Sequence, residues 1–198
     1  MAEIRDAFEP EPPPGFRGLQ RDLPISCYER HLPHWRQKGA TYFVTFRLGD
    51  ALPPDELKIL QDERQRWKSR HPHARSEKDL EEFARISLQR EEQCLDKGYG
   101  ACYFRDPEWA EKMANALLHY QNVRCFVPCL TVMPNHVHVI MKPLLDFELE
   151  DTLKLIKGYV ARQINLAFGK SGPIWEQESY DRIIRDTAHL QNVIRYIG

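Results

Sequence analysis

Two histidines set one residue apart, His136 and His138, stand inside the apolar run CLTVMPNHVHVIMKP at 129–143. Side chains on a β-strand alternate faces, so residues i and i+2 project together and their ring nitrogens can meet at one small cation, while Val137, Val139 and Met141 line the other face. An H-x-H in a half-exposed strand is more commonly two solvated or hydrogen-bonded side chains. Three things would raise it to a metal site: a third ligand type, a nucleophile, and a fold that gathers them. A second pair, Tyr159 and Gln163, lies one helical turn apart and points in nearly one direction. Taken alone, Tyr159 reads as a core-margin residue with its hydroxyl in water, and Gln163 as a solvent-exposed amide.

The elements that must position these residues follow from periodicity and capping. ATYFVTFRL alternates and is dense in β-branched and aromatic residues, which predicts the first core strand. A helix enters at Pro53–Pro54 with Leu57, Leu60, Arg64 and Trp67 down one side. Residues 71–100 read as a charged helical insertion: its helix spans 76–95, opens at Ser76, carries sparse apolar positions (Leu80, Phe83, Ala84, Leu88, Leu95) and packs at the domain edge, and its HPH at 71–73 reads as solvated.

Asp106 caps the next helix, Pro107 takes its first position, and Trp109, Met113, Leu117, Ala110, Ala114 and Leu118 form its stripe. RCFVPCLTV and HVHVIMKP, joined by a Pro134–Asn135 turn, read as a hairpin with the histidines on its second arm. A helix over 151–168 faces Leu153, Ile156, Val160, Ile164 and Phe168 inward. PIWEQESYDRII reads as an edge strand, and Asp186 caps a last helix with Leu190, Val193, Ile194 and Ile197 inside. This order predicts an α+β fold, an antiparallel sheet with helices packed on it and the histidine strand central. Residues 1–27, rich in proline and charge, read as a flexible tail preceding one domain at 28–198.

Composition narrows the class. With 198 residues, 42% of them hydrophobic, the chain can bury its own core without staples. The absence of any apolar run of about 18 residues, and of a signal pattern, argues for a cytoplasmic protein with no membrane span. Five cysteines without a C-x-x-C pair argue against a disulfide framework or a zinc ribbon. A net charge of −1 carries no global mark of a nucleic-acid binder, so such contacts must rest on local basic groups.

The His–hydrophobic–His strand, followed by a helix bearing KGYVARQIN and then by SGPIWEQESYDRIIRD, resembles the single-tyrosine HUH transposases, and more closely their REP-associated tyrosine transposase branch, over roughly residues 28–197. The resemblance implies a ferredoxin-like antiparallel sheet decorated with helices, the HUH endonuclease fold, and an enzyme that nicks and joins single-stranded DNA at hairpin-forming repeats. It makes Tyr159 the nucleophile that forms a 5′-phosphotyrosine link. It makes His136, His138 and Gln163 the ligands of a divalent metal, Mg2+ or Mn2+. The tyrosine follows the histidine pair, whereas the related relaxases place it before.

A phosphodiester repels nucleophiles, and a cation on its oxygen offsets the charge that grows in the transition state. A phenol is a weak nucleophile at neutral pH, but its phenolate leaves well, which suits a reversible covalent intermediate. Arg47, Lys142, Lys154, Lys157 and Arg162 are the candidate DNA-phosphate contacts. Two departures stand out: relatives often read tyrosine, aspartate, histidine where this chain has Tyr180-Asp181-Arg182, and they continue where this chain stops at Gly198. A truncated or domesticated copy, binding hairpin DNA without turnover, is therefore the alternative expectation. The partner expected is single-stranded or hairpin DNA, with the protein a monomer or a homodimer.

Overall fold

The computed structural model describes residues 12–29, 33–71, 77–144 and 146–198. Strands β1 (Ser26–Glu29) and β2 (Pro33–Arg36) form a small antiparallel hairpin. Strands β3 (Tyr42–Arg47), β4 (Cys125–Val132), β5 (His136–Pro143) and β6 (Tyr180–Ile183) form the main sheet in the order β4-β5-β3-β6, every pairing antiparallel. The helices are α1 (Pro54–Arg70), α2 (Glu77–Leu95), α3 (Pro107–Leu118), α4 (Leu149–Ala167) and α5 (Thr187–Ile197). Read along the sheet, the first and third of its strands lie in the middle and the second and fourth at the edges. That is the ferredoxin-like α+β arrangement, with the histidine strand central as expected.

Register decides what shares a face. Val44 sits opposite Val139, Phe46 opposite Val137 and Tyr42 opposite Met141, so these six point to one side; Thr45 opposite His138, Arg47 opposite His136 and Phe43 opposite Ile140 point to the other. The first side meets α3 and α4: Trp109, Met113 and Leu117 with Leu149, Leu153, Ile156, Val160 and Ile164 close the main core over Val137, Val139 and Met141. The second side meets α5, where Leu190, Val193 and Ile197 pack on Phe43, Ile140 and Ile184. Because helices cover both sides, all six residues of β3 are buried despite the alternating sequence.

Local signals act as their chemistry requires. Asp106 accepts from the Glu108 N–H at 2.9 Å and Asp186 from the His189 N–H at 2.8 Å, satisfying helix-start donors. Two stripe positions differ from expectation. Leu118 and Phe168 are exposed, because each falls in the last turn or at the cap where its helix leaves the sheet, and Ala116 takes the buried place on α3. In the insertion, α2 packs on α1, and Phe83 meets Trp67. Ser76, residues 72–73 of the HPH, and the side chains of Leu80 and Ala84 lie outside the described residues.

Residues 1–11 of the expected tail also lie outside the described residues, but the segment after them is docked. The Leu19 N–H donates to Ile184 O at 3.0 Å and the Thr41 N–H to Arg17 O at 2.8 Å. A Cβ at residue 18 would come within 2.2 Å of Arg185 O, so only glycine allows this approach.

Candidate functional site

The two imidazoles converge as the strand geometry requires. Their Nε2 atoms are 3.0 Å apart, and His136 and His138 are only 2% and 5% exposed. Each ring is held from behind. Nδ1 of His136 contacts Asn135 Oδ1 at 2.8 Å, the Asn135 amide nitrogen donating in turn to Tyr99 O at 3.0 Å; Nδ1 of His138 contacts Thr45 Oγ1 at 2.8 Å. Burial pushes the His136 imidazolium down to about 4 against the pull of Asp96 and Glu91. Burial, with the charge of His136 beside it, takes His138 down to about 3. Both rings are therefore neutral near pH 7, the state a metal ligand needs.

The donor set fits a cation. The Asn135 amide oxygen accepts, so His136 Nδ1 carries its proton and its Nε2 offers a lone pair. The Thr45 hydroxyl both donates and accepts, so His138 can present either Nε2–H to its neighbour or an Nε2 lone pair to a metal at little cost. Two nitrogens bound at right angles at ~2.1 Å lie ~3.0 Å apart, the separation seen here. Second-shell partners of this kind orient metal-binding imidazoles. Among the described residues no cluster of three or more His, Cys, Asp or Glu forms a ready-made metal cage, so His136 and His138 would supply two ligands, with oxygen from elsewhere completing the set.

The side chain that meets this pair from a helix is Tyr196, on α5. Its ring lies 5.4 Å from His138, edge to face, and 6.2 Å from Phe43. Tyr196 is 50% exposed. Burial and the Glu92 charge raise the Tyr196 phenol above its usual range, and burial raises the Glu92 carboxyl. The Thr131 hydroxyl donates to Ile197 O, tying the end of α5 to the strand beside the histidines. A cleft of about 650 Å3 opens beside Thr45, the partner of His138, lined also by Arg47, Arg64, Glu91, Glu92 and Tyr180 among others, and neither histidine lines it.

Tyr159 and Gln163 are not brought to the histidines within the chain. They lie on α4, whose buried stripe covers the opposite side of the sheet. Tyr159 is 44% exposed and lines a separate groove of about 550 Å3 with Lys112, His119, Tyr120 and Arg162. The candidate basic contacts divide as well. Arg47 is 4% exposed and bound by Glu91 at 2.8 Å and Glu176 at 3.1 Å, so a phosphate cannot reach it without breaking those pairs. Lys157 turns inward to Glu176 O at 3.2 Å and Ser179 Oγ at 3.3 Å, and burial takes it down to about 8. Lys142 is partly buried and donates to Gly15 O. Lys154 and Arg162 are exposed.

β6 splits the Tyr180-Asp181-Arg182 segment between faces: Tyr180 sits opposite Thr45 and Arg182 opposite Phe43, on the histidine side, and Asp181 opposite Val44 on the other. Tyr180 is two strands away from β5, roughly 10 Å at the usual spacing, and burial pushes its phenol up to about 12. Asp181 anchors a polar cluster. It contacts His34 Nδ1 at 2.6 Å and is bridged by Arg36, which also pairs with Glu150. Burial works against ionisation of Asp181, but hydrogen bonds from His34 and Arg36 outweigh it and hold the carboxyl below its usual range.

Tyr196 and Thr45 carried no site signal in the sequence, and Asn135 read there only as a turn residue. Tyr196 stood beside the α5 stripe, three residues after Val193, just as Tyr159 stood beside that of α4.

Residues 103–198, just under half of the chain and the part carrying β5, α4 and α5, match the family profile "Transposase IS200 like". The match bears out the resemblance to the single-tyrosine transposases. No curated protein matches the chain. Among solved structures the chain is similar to a REP-associated tyrosine transposase bound to a REP hairpin, at 18% identity over 87% of this chain and 70% of that one, TM-score 0.47. It is also similar to a transposase candidate from Deinococcus radiodurans R1, at 14% identity over 80% of this chain and 90% of that one, TM-score 0.31. No described helix is long and apolar enough to cross a membrane.

Proposed function

We propose that the protein is a metal-dependent transposase that nicks and rejoins single-stranded DNA beside hairpin-forming sequences, with Tyr196 rather than Tyr159 as the attacking group. One observation carries the reading: a half-exposed phenol on α5 stands 5.4 Å, ring to ring, from the second of two convergent, neutral histidines on the same side of the sheet. The IS200-like match, which spans both tyrosines, supports the transposase part of the reading.

Each residue has a separate task. Asn135 and Thr45 fix the two rings, so His136 and His138 face one point without reorganising. A bound Mg2+ or Mn2+ would offset the charge that develops on the phosphate. Tyr196, whose ring stands beside His138, forms the bond to phosphorus and releases a 3′-hydroxyl; a phenolate leaves more readily than an alkoxide, so the ester is then open to attack by another 3′-hydroxyl, which rejoins the strand. Lys154 and Arg162, exposed on α4, remain available to phosphates of a flanking hairpin.

A second reading is a hairpin-DNA-binding protein without turnover. The near-complete burial of both histidines, bonded to each other, favours it. The experiment is cleavage of a labelled pool of hairpin oligonucleotides with randomised single-stranded flanks, in Mn2+ or Mg2+ and then in EDTA. The transposase reading expects cutting of the unpaired flank, abolished by EDTA; binding without cutting in either metal supports the second reading.

A further inference from the structure

The loop that joins α2 to α3 follows an unusual backbone path. Gly98 and Gly100 stand at φ of +66° and +85°, and Cys102 takes the left-handed region at +46°, where L side chains are rarely found. A Cβ at residue 100 would come within 2.5 Å of Asp50 O, and the Asp50 carboxylate accepts the Ala101 N–H at 2.8 Å. The Cys102 thiol closes the turn on Gly98 O at 3.1 Å. Strain of this kind persists only where the surroundings impose it, and it clusters at functional sites.

What this path delivers is the Tyr99 carbonyl, which accepts the Asn135 amide N–H at 3.0 Å. Asn135 is wholly buried, its backbone oxygen accepts the Leu48 N–H at 2.9 Å, and its Oδ1 meets His136 Nδ1 at 2.8 Å. Just past the loop, the Phe104 N–H donates to Pro134 O at 3.1 Å, so the 134–135 turn is braced at two points. An asparagine amide can present either end to its neighbour. With its nitrogen on Tyr99 O, the oxygen faces Nδ1, the ring carries its proton there, and Nε2 keeps a lone pair. Turned by half a revolution, the amide would set two oxygens face to face and offer its nitrogen to Nδ1, which puts the ring proton on Nε2 and closes it to a cation. The two arrangements carry the same charge and differ only in direction.

We propose that the 98–102 loop, clamped by Asp50, is a positioning element for His136 as a metal ligand: Tyr99 O selects the Asn135 orientation that leaves Nε2 open to the cation. The proposal rests on the metal-site reading above. The loop acts through Asn135 rather than on the reacting atoms, and it ties the α1–α2 insertion to the geometry of the site.

The test reads the His136 ring of the full chain, carrying isotope-labelled histidine and stripped of metal with EDTA, by long-range proton–nitrogen NMR, and then titrates the same protein with Mn2+ in a calorimeter. Wild type should show His136 protonated at Nδ1, its signals assigned by their loss in His136→Ala. Gly100→Ala sets a methyl group against Asp50 O; it should show the proton shared between the two ring nitrogens and bind Mn2+ about 10–100-fold more weakly. Asp50→Ala removes the clamp at an exposed residue, should do the same, and serves as the comparison if the glycine variant fails to fold. Asp50→Asn keeps an oxygen for the Ala101 N–H and should recover most of the affinity. A ring protonated only at Nδ1, or wild-type Mn2+ affinity, in the variants that fold overturns the role of the loop and leaves the metal site standing; a lowered melting temperature without movement of the ring proton is the result of a loop that only stabilises the fold, and it overturns the proposal equally. Mn2+ affinity unchanged in His136→Ala removes the metal-site reading, and this proposal with it.

Discussion

The two faces of the main sheet are covered in the same way and do different things. Each carries an alternating set of strand residues and an amphipathic helix, and each helix sets a half-exposed tyrosine beside its buried stripe: Tyr159 on α4, Tyr196 on α5. On the α4 side the strand residues are Val137, Val139 and Met141, and the tyrosine looks into a groove without histidines from the strand. On the α5 side they are His136 and His138, and the tyrosine touches one of them. Helical periodicity says how a helix faces a sheet. It does not say which face of the sheet.

The largest expected effect is on the histidine face. His136→Ala with His138→Ala should remove metal-dependent cleavage altogether while hairpin binding, read by gel shift, stays near wild type. Cleavage retained in the double variant would sink the metal site. On the opposite face, Asp181→Ala should leave Arg36 and His34 without their shared buried carboxylate and destabilise the fold by about 3–5 kcal/mol, measured by denaturant titration. A loss under about 1 kcal/mol would show that the cluster is solvated enough to do without Asp181.

A smaller effect separates the faces by pH. His136 and His138 are held at about 4 and about 3, and His189 at about 4, all by burial first. The folded values lie below that of an unfolded histidine, so the unfolded chain binds more protons as pH falls, and stability present above about pH 6.5 is lost on the way to about 4. Each group contributes on the order of 3–5 kcal/mol at most. His136→Ala should flatten that slope in melts run between pH 7 and pH 4, and an unchanged slope would mean the ring is solvated. Smaller still, Thr45→Val removes the hydroxyl behind His138 and should weaken Mn2+ binding by about 10–100-fold in calorimetry with little change in melting temperature. Unaltered affinity would show that Thr45 does not orient the ring.

Much of the frame could be read from residue order. The period of two in ATYFVTFRL and HVHVIMKP placed both central strands, and Asp106 and Asp186 placed two helix starts, because those signals are local. The convergence of His136 and His138 was legible for the same reason. What joins them was not. Glu91 meets Arg47 across 44 positions of sequence, through a helix that looked peripheral because its apolar positions are few. Arg47 and Lys157 read as candidate DNA-phosphate contacts and are held inward by Glu91, Glu176 and Ser179, because the covering of a strand or helix face depends on elements distant in sequence.

The central claim is which tyrosine carries the strand. Wild-type protein reacted with the hairpin pool in Mn2+, digested with protease and examined by mass spectrometry should yield a nucleotide on the peptide holding Tyr196 and none on the peptide holding Tyr159; a nucleotide on Tyr159 would contradict the account.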